Sequence, residues 1–410
     1  MALPLVIVGA SYAGTHLAAE ARALGFDAPI IMLGDEPHLP YQRPPLSKGL
    51  LTGKTTVDSL ALKGPGFYSD NDIEVLLSRR ATALDVSAQT LSLDDGRVLN
   101  YGWLALATGA RCRPLPVPGT ELGGVFNLRT LDDALSISDA LSEARRACVI
   151  GGGFIGLEVA SALASRGKAV TVVEGQSRLL ARSFPPPMSE YLAQAHRSRG
   201  VEILLNSSVT ALRGEQGKVR AVDLSDGTSI PCDIVILGIG VQPNVELAQQ
   251  AGIACDNGIL VDALGRTSAE RVLAIGDVAN MEWLHLGGGT ARMRLESIQA
   301  ANDSARAAAS AIVGNPQPLA RVPWFWSDQH TLKLQMAGLP MEADRPVIRG
   351  DMQADRFSLF YLRDGALAAA HSVNRPAEHM LSRKLIAASA RFTAQELQDE
   401  SFDLKCRLAG

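Results

Sequence analysis

Ala147-Cys148-Val149-Ile150-Gly151-Gly152-Gly153-Phe154-Ile155-Gly156-Leu157-Glu158 is the stretch that decides the fold. Four apolar residues run into a complete G-x-G-x-x-G, and helical spacing follows at Leu157, Ala160, Leu163 and Ala164 as far as Gly167. An apolar run bounded by glycine suits a strand buried on both faces of a parallel sheet. Gly151 makes the tight turn, Gly153 lets the backbone approach a pyrophosphate, and Gly156 lets the helix pack on the strand. The helix N-terminus then faces the phosphates. A second apolar run, Ala169 to Val173, ends at Glu174. That is the position of an acidic residue that bonds ribose hydroxyls, and its charge disfavours a 2′-phosphate, so the motif predicts NADH rather than NADPH.

The same plan stands at the N-terminus. Leu5 to Val8 lead into Gly9-Ala10-Ser11-Tyr12-Ala13-Gly14, with Ser11 in place of the second glycine. Helical spacing follows at Leu17, Ala18, Ala21 and Leu24, then the run Pro29 to Leu33, then Asp35 and Glu36 at the ribose position. The Ser11 hydroxyl is itself a candidate phosphate ligand. Two β-α-β units of about 30 residues each predict two dinucleotides, paired as a held FAD and an exchangeable NADH. Leu104 to Gly109 reads as a buried strand ending in Ala-Thr-Gly, and Val272 to Gly276 as another strand ending at Asp277. The Asp277 carboxylate suits either ribityl hydroxyls or a helix cap.

Composition bounds the rest. The chain has 410 residues, which at about 150 per domain predicts two to three domains. Lys and Arg total 39 against 43 Asp and Glu, for a net charge of −4, which argues against broad nucleic-acid binding. No apolar run approaches the roughly 18 residues of a membrane span. The Met1–Gly9 stretch lacks the charged leader and cleavage site of a signal peptide. Five cysteines, Cys112, Cys148, Cys232, Cys255 and Cys406, form no close pair and read as reduced thiols of a cytoplasmic protein. The seven histidines have no metal spacing, so no metal is expected. Thr90–Leu93 with Val98–Leu99, and Val219–Leu224 with Thr228–Ile230, read as hairpins. From Trp324 the pattern alternates in strand fashion and closes with a helix from about Ala377 to Ala390, a separate C-terminal domain.

With these motifs in place, the sequence resembles the two-dinucleotide flavoprotein disulfide reductase superfamily. Within it the chain resembles the FAD-dependent NADH:ferredoxin reductases that serve Rieske-type dioxygenases and cytochrome P-450 systems. The resemblance rests on Tyr41-Gln42-Arg43-Pro44-Pro45-Leu46-Ser47-Lys48, Ala107-Thr108-Gly109, Leu128 to Ala134, Ile150 to Glu158, Gly238 to Asn244, Gly276-Asp277-Val278, Glu296-Ser297 and Pro323 to Gln329. Ser11 and an insertion-like Leu286-Gly287-Gly288-Gly289 depart from the pattern.

The resemblance implies an α/β fold of two Rossmann-like, glutathione-reductase-like domains plus a C-terminal α+β domain. Residues 1–111 and 241–320 would bind FAD, 112–240 NADH, and 321–410 would form the third domain. It implies FAD contacts at Gly9, Ser11, Ala13, Gly14, Asp35, Arg43, Lys48 and Ala81, and at Thr108, Gly109, Arg129, Gly276, Asp277, Glu296, Ile298 and Trp326. NADH would meet Gly151, Gly153, Ile155, Gly156, Glu174, Arg182 and Gly240. Lys48 would place a cation beside the flavin, paired with Glu158, or the two would form an ordinary surface pair. Trp326 would face flavin and nicotinamide, or serve as a core aromatic. The region Arg43 to Leu51 holds no cysteine, and disulfide exchange requires a thiolate, so a thiol-active enzyme is excluded. A 2Fe-2S ferredoxin is the expected partner, met by a local patch drawn from Arg306, Lys333, Arg383 and Lys384. Two other readings share the motifs: an apoptosis-inducing-factor-like flavoprotein acting by NADH-driven dimerisation, and a reductase of rubredoxin or another small acceptor.

Overall fold

The computed structural model describes residues 3–285, 289–318, 321–341 and 344–408. Leu5–Val8 forms β1, and all four of its residues are buried. It pairs in parallel with Ile30–Leu33 on one side and Trp103–Leu106 on the other. The five-stranded sheet runs Val272–Ala274, Trp103–Leu106, β1, Ile30–Leu33, Ile73–Leu76. Its order reverses beside β1, which opens a crevice at the carboxyl ends of the strands, the place where such sheets bind ligands. The helix after the first glycine turn, α1, spans Tyr12–Ala23.

The second sheet repeats the design. Arg146–Ile150 is β2, Phe154–Ser165 is α2, and Ala169–Val173 is β3. The strand order is Val201–Leu204, β3, β2, Ile234–Leu237, Val125–Asn127, all parallel. Helix α3 spans Pro186–Arg197. A two-stranded antiparallel ribbon, Ala110–Cys112 against Val241–Pro243, joins the strands of one sheet to those of the other.

Helix α4, Ile298–Ile312, packs on α1 through Ala301, Ala305, Ala308 and Ala309, and small side chains bring the two axes close. The last sheet is antiparallel: Trp324–Gln329 (β4), Leu332–Gly338, Ala366–Val373, Arg356–Arg363, Arg345–Asp351. Its helix α5 runs Pro376–Ala387 and stops short of the expected Ala390. Ser389 takes a left-handed φ of +51°, while the N–H groups of Ser389 and Ala390 donate to the carbonyls of Ile386 and Leu385. That pair of bonds closes a helix C-terminus. Of the insertion-like segment, Gly289 opens a strand to Met293, and Leu286, Gly287 and Gly288 lie outside the described residues. Among the described residues no helix is long and apolar enough to cross a membrane.

Four histidines sit in this packing as neutral groups. Burial pushes His196 down, His330 to about 4, with His196 and Arg199 adding to it, His371 to about 3, and His379 to about 4 with help from Arg383. The unfolded chain therefore binds more protons than the folded one below pH 6.5. Their contribution is fully present above that pH and is lost as pH falls toward 4, at about 1.4 kcal/mol per pKa unit. Urea midpoints measured from pH 7 to pH 4 should fall by more than carboxylate titration alone accounts for, and replacing His379 by Phe should flatten that fall.

Candidate functional site

The crevice at the end of β1 widens into a cavity of about 1070 Å³. Its floor begins at the first glycine turn. Gly9 has φ +127°, and a Cβ there would lie 2.1 Å from the Ala107 carbonyl oxygen; a Cβ on Gly14 would lie 2.1 Å from the Gly9 oxygen. Gly14 thus serves helix-on-strand packing, while Gly9, Ser11 and Ala13 line the cavity. The Ser11 hydroxyl caps no backbone group and accepts instead from Arg43 Nε at 3.2 Å. Arg43 also donates to the Arg129 carbonyl at 2.6 Å and to Glu36 at 2.5 Å. Asp35 is exposed, 3.2 Å from Arg80, and lines the cavity as Ala81 does.

Across the cavity, Arg129 Nη2 donates to Asp277 Oδ2 at 2.8 Å, so this carboxylate acts as a partner of a cation rather than a helix cap. Gly276 has φ +71°, with Ala13 2.8 Å from where its Cβ would be. Thr108 and Asn244 exchange two bonds, Thr108 Oγ1 to the Asn244 carbonyl at 2.7 Å and Asn244 Nδ2 to the Thr108 carbonyl at 2.8 Å. A Cβ on Gly109 would meet only the Arg129 guanidinium, at 3.6 Å. Glu296 pairs with Arg294, and Glu296, Ile298 and Trp326 complete the wall. Helix N-terminal N–H groups and two arginines suit a pyrophosphate, and the carboxylates suit sugar hydroxyls. The lining fits FAD.

At the inner end Glu158, on the first turn and a half of α2, is 2% exposed. Its Oε2 accepts from Lys48 Nζ at 2.7 Å and from Ser47 Oγ at 2.5 Å, and its Oε1 from Ser327 Oγ at 2.6 Å. Three chain regions meet on one carboxylate, so this is no ordinary surface pair. Sequence reasoning missed Ser47, Ser327, Asn244 and the Glu36–Arg43 pair. The only local signal was position, Ser47 before Lys48 and Ser327 after Trp326.

The second glycine turn lies outside the cavity. Gly151 has φ +110°, and a Cβ on Gly156 would lie 2.1 Å from the Gly151 oxygen. A Cβ on Gly153 would meet nothing nearer than the Gly238 oxygen at 3.9 Å, which leaves the turn open to a ligand. Glu174 accepts from the N–H groups of Gly152 at 2.7 Å and Gln176 at 2.8 Å, fixing its carboxylate beside the turn. Arg182 Nη2 is 3.6 Å from the Cβ position of Gly240. Ile155, 46% exposed, lines the large cavity and so joins the two sites.

Trp324 stacks on Trp326 at 5.5 Å, and Arg383 lies over Trp324 at 4.8 Å. Lys384 is exposed on α5. The Arg306 side chain, 41% exposed, pairs with Glu20 and Asp303, and Lys333 stands opposite Asp328, two residues along from the Gln335 that pairs with Trp326. The structure thus brings Arg383 to the tryptophans. Cys112 lines the cavity, but burial pushes its thiol up, as it does for Cys148 and for Cys232, to about 12. None offers the thiolate that disulfide exchange needs.

Residues 3–305 match the family described as pyridine nucleotide-disulphide oxidoreductase, and residues 324–408 match the reductase C-terminal family. The chain is 41% identical to rhodocoxin reductase of Rhodococcus erythropolis over 99% of this chain and 95% of that one. Its structure is similar to the ferredoxin reductase for the CYP199A2 system of Rhodopseudomonas palustris, with a TM-score of 0.95 at 40% identity, covering 99% of this chain and 100% of that one. It is equally similar, at TM-score 0.95, 38% identity and coverage of 99% and 98%, to putidaredoxin reductase in its covalent complex with putidaredoxin.

Proposed function

Because the chain belongs to the pyridine nucleotide-disulphide oxidoreductase family, we propose that it is an FAD-containing ferredoxin reductase of an oxygenase system. It passes electrons from NADH through FAD to a 2Fe-2S ferredoxin. The observation that carries this reading is the Lys48–Glu158 pair on the cavity floor, in a site whose one lining cysteine, Cys112, is held as a thiol. Bound there, FAD would supply the two-electron to one-electron chemistry that links a hydride donor to a single-electron acceptor. Lys48 holds a positive charge toward the cavity, and Ile155 and Trp326 shape the face where nicotinamide approaches. Gly9, Ser11, Ala13, Arg43, Thr108, Arg129 and Asp277 hold FAD, and Gly153, Glu174, Arg182 and Gly240 hold NADH. Sheet membership supports the division into residues 1–111 with 241–320, 112–240 and 321–410. The unpaired cysteines support a cytoplasmic location.

Reconstitution tests the reading. With NADH, this protein, a 2Fe-2S ferredoxin and cytochrome c, reduction of the cytochrome should require the ferredoxin, while ferricyanide reduction should not. A colourless protein, or turnover indifferent to ferredoxin, would overturn it.

Two further results are expected. Glu174→Ala should weaken NADH by about 1.5–3 kcal/mol per lost charged hydrogen bond and narrow the gap to NADPH. Equal use of both nucleotides by the unaltered protein would remove Glu174 from that role. Arg306→Glu with Lys384→Glu should lower the ferredoxin association rate and flatten its salt dependence, since exposed charges steer encounter. Ferricyanide turnover should stay the same.

A further inference from the structure

We propose that Ser327, Gln329, His196 and His330 form a positioning chain whose O–H and N–H groups all point toward Glu158, holding its carboxylate as the ionised partner of Lys48 and so setting the charge presented to the flavin cavity. The links are continuous. Ser327 Oγ lies 2.6 Å from Glu158 Oε1, Gln329 Nε2 3.1 Å from Ser327 Oγ, His196 Nε2 2.9 Å from Gln329 Oε1, and His330 Nε2 3.2 Å from His196 Nδ1. Glu158, Ser327, Gln329 and His196 are all buried. His330 is half-buried at the outer end, and its backbone N–H donates to Ser161 Oγ on the same helix as Glu158. The chain ties α2 and α3 to β4.

One charge fixes every proton. An ionised carboxylate only accepts, so Ser327 must donate to Glu158. Its oxygen is then free to accept, and Gln329 supplies the amide N–H. The Gln329 carbonyl oxygen therefore faces His196, which must carry its proton on Nε2. His196 Nδ1 is bare and accepts from His330 Nε2–H. Both imidazoles are neutral at ordinary pH, since burial holds His196 down and His330 at about 4, so each has one tautomer to choose. Aligned donors polarise one another in a low-dielectric interior. They spread the Glu158 charge over the chain and leave more of the Lys48 charge directed into the cavity. A neutral amide at position 158 keeps its oxygen toward Lys48 and Ser47 and turns its N–H to Ser327. Gln329 is then the other side chain bonded to the buried Ser327 hydroxyl, so satisfying that proton turns the Gln329 amide and places the His196 proton on Nδ1.

The tautomer of His196 therefore reports the charge at position 158, three hydrogen bonds away. Two-bond ¹H–¹⁵N correlation of imidazole-labelled protein reads it directly, with His196→Gln assigning the signals. The unaltered protein should show Nε2–H at His196, and Glu158→Gln should show Nδ1–H. An Nδ1–H tautomer in the unaltered protein, or no change in Glu158→Gln, overturns the chain's direction. The coupling to flavin rests on the function proposed above and is read by potentiometry of FAD-loaded protein. Ser327→Ala and Gln329→Leu should each favour the oxidised form by about tenfold, about 30 mV for a two-electron couple, with full FAD content. An unchanged potential at full FAD content overturns the coupling. Absence of FAD from the unaltered protein would instead overturn the proposed function, and the tautomer result, which needs no flavin, would still decide the chain.

Discussion

Lys48→Ala is expected to lower stability by about 3–5 kcal/mol and to slow flavin reduction by roughly tenfold or more, with NADH affinity nearly unchanged. Glu158 is 2% exposed and Lys48 is its cationic partner. Removing the ammonium leaves a buried carboxylate held by two serine hydroxyls, and an unpaired buried charge is far costlier than the pair was worth. The rate effect has a separate origin. Lys48 lines the cavity, and a charge aimed at negative charge developing during hydride arrival acts in the transition state, not in nicotinamide binding. Denaturant unfolding and stopped-flow reduction separate the two effects. Adding Glu158→Gln to Lys48→Ala should restore much of the stability and none of the rate. Reduction at the original rate in Lys48→Ala would remove that lysine from the site.

Gly14→Ala and Gly156→Ala should divide the two nucleotide sites. In each, the new Cβ would fall 2.1 Å from the carbonyl oxygen of the glycine that opens the turn, so the helix must move off its strand. Overpacking of this kind costs about 1–3 kcal/mol and displaces the N–H groups that face a pyrophosphate. Gly14→Ala should be purified without FAD. Gly156→Ala should keep FAD, yet bind NADH at least tenfold more weakly. Gly167→Ala is the control: its φ is +73° with nothing within 4 Å, so it should cost only about 1–2 kcal/mol of backbone strain and spare both sites. FAD content and NADH titration give the answer, and loss of FAD from Gly156→Ala alone would reverse the assignment of the two turns.

The glycine turns, the buried strands and the helices after them were legible in the sequence because each obeys a local rule. A turn with φ above +100° at Gly9 and Gly151 admits little but glycine, and an all-apolar run such as Leu5–Val8 suits a strand covered on both faces. The pairing of Lys48 with Glu158 was legible only through resemblance, since 110 residues separate the two. What the tertiary structure alone decided was the set of partners around them. Ser327 reaches Glu158 across 169 residues, Arg129 reaches Asp277 across 148, and Thr108 reaches Asn244 across 136. No periodicity links such positions. A hydrogen bond of 2.6–2.8 Å depends on where whole sheets and helices come to rest, and that is set by the packing of distant apolar faces.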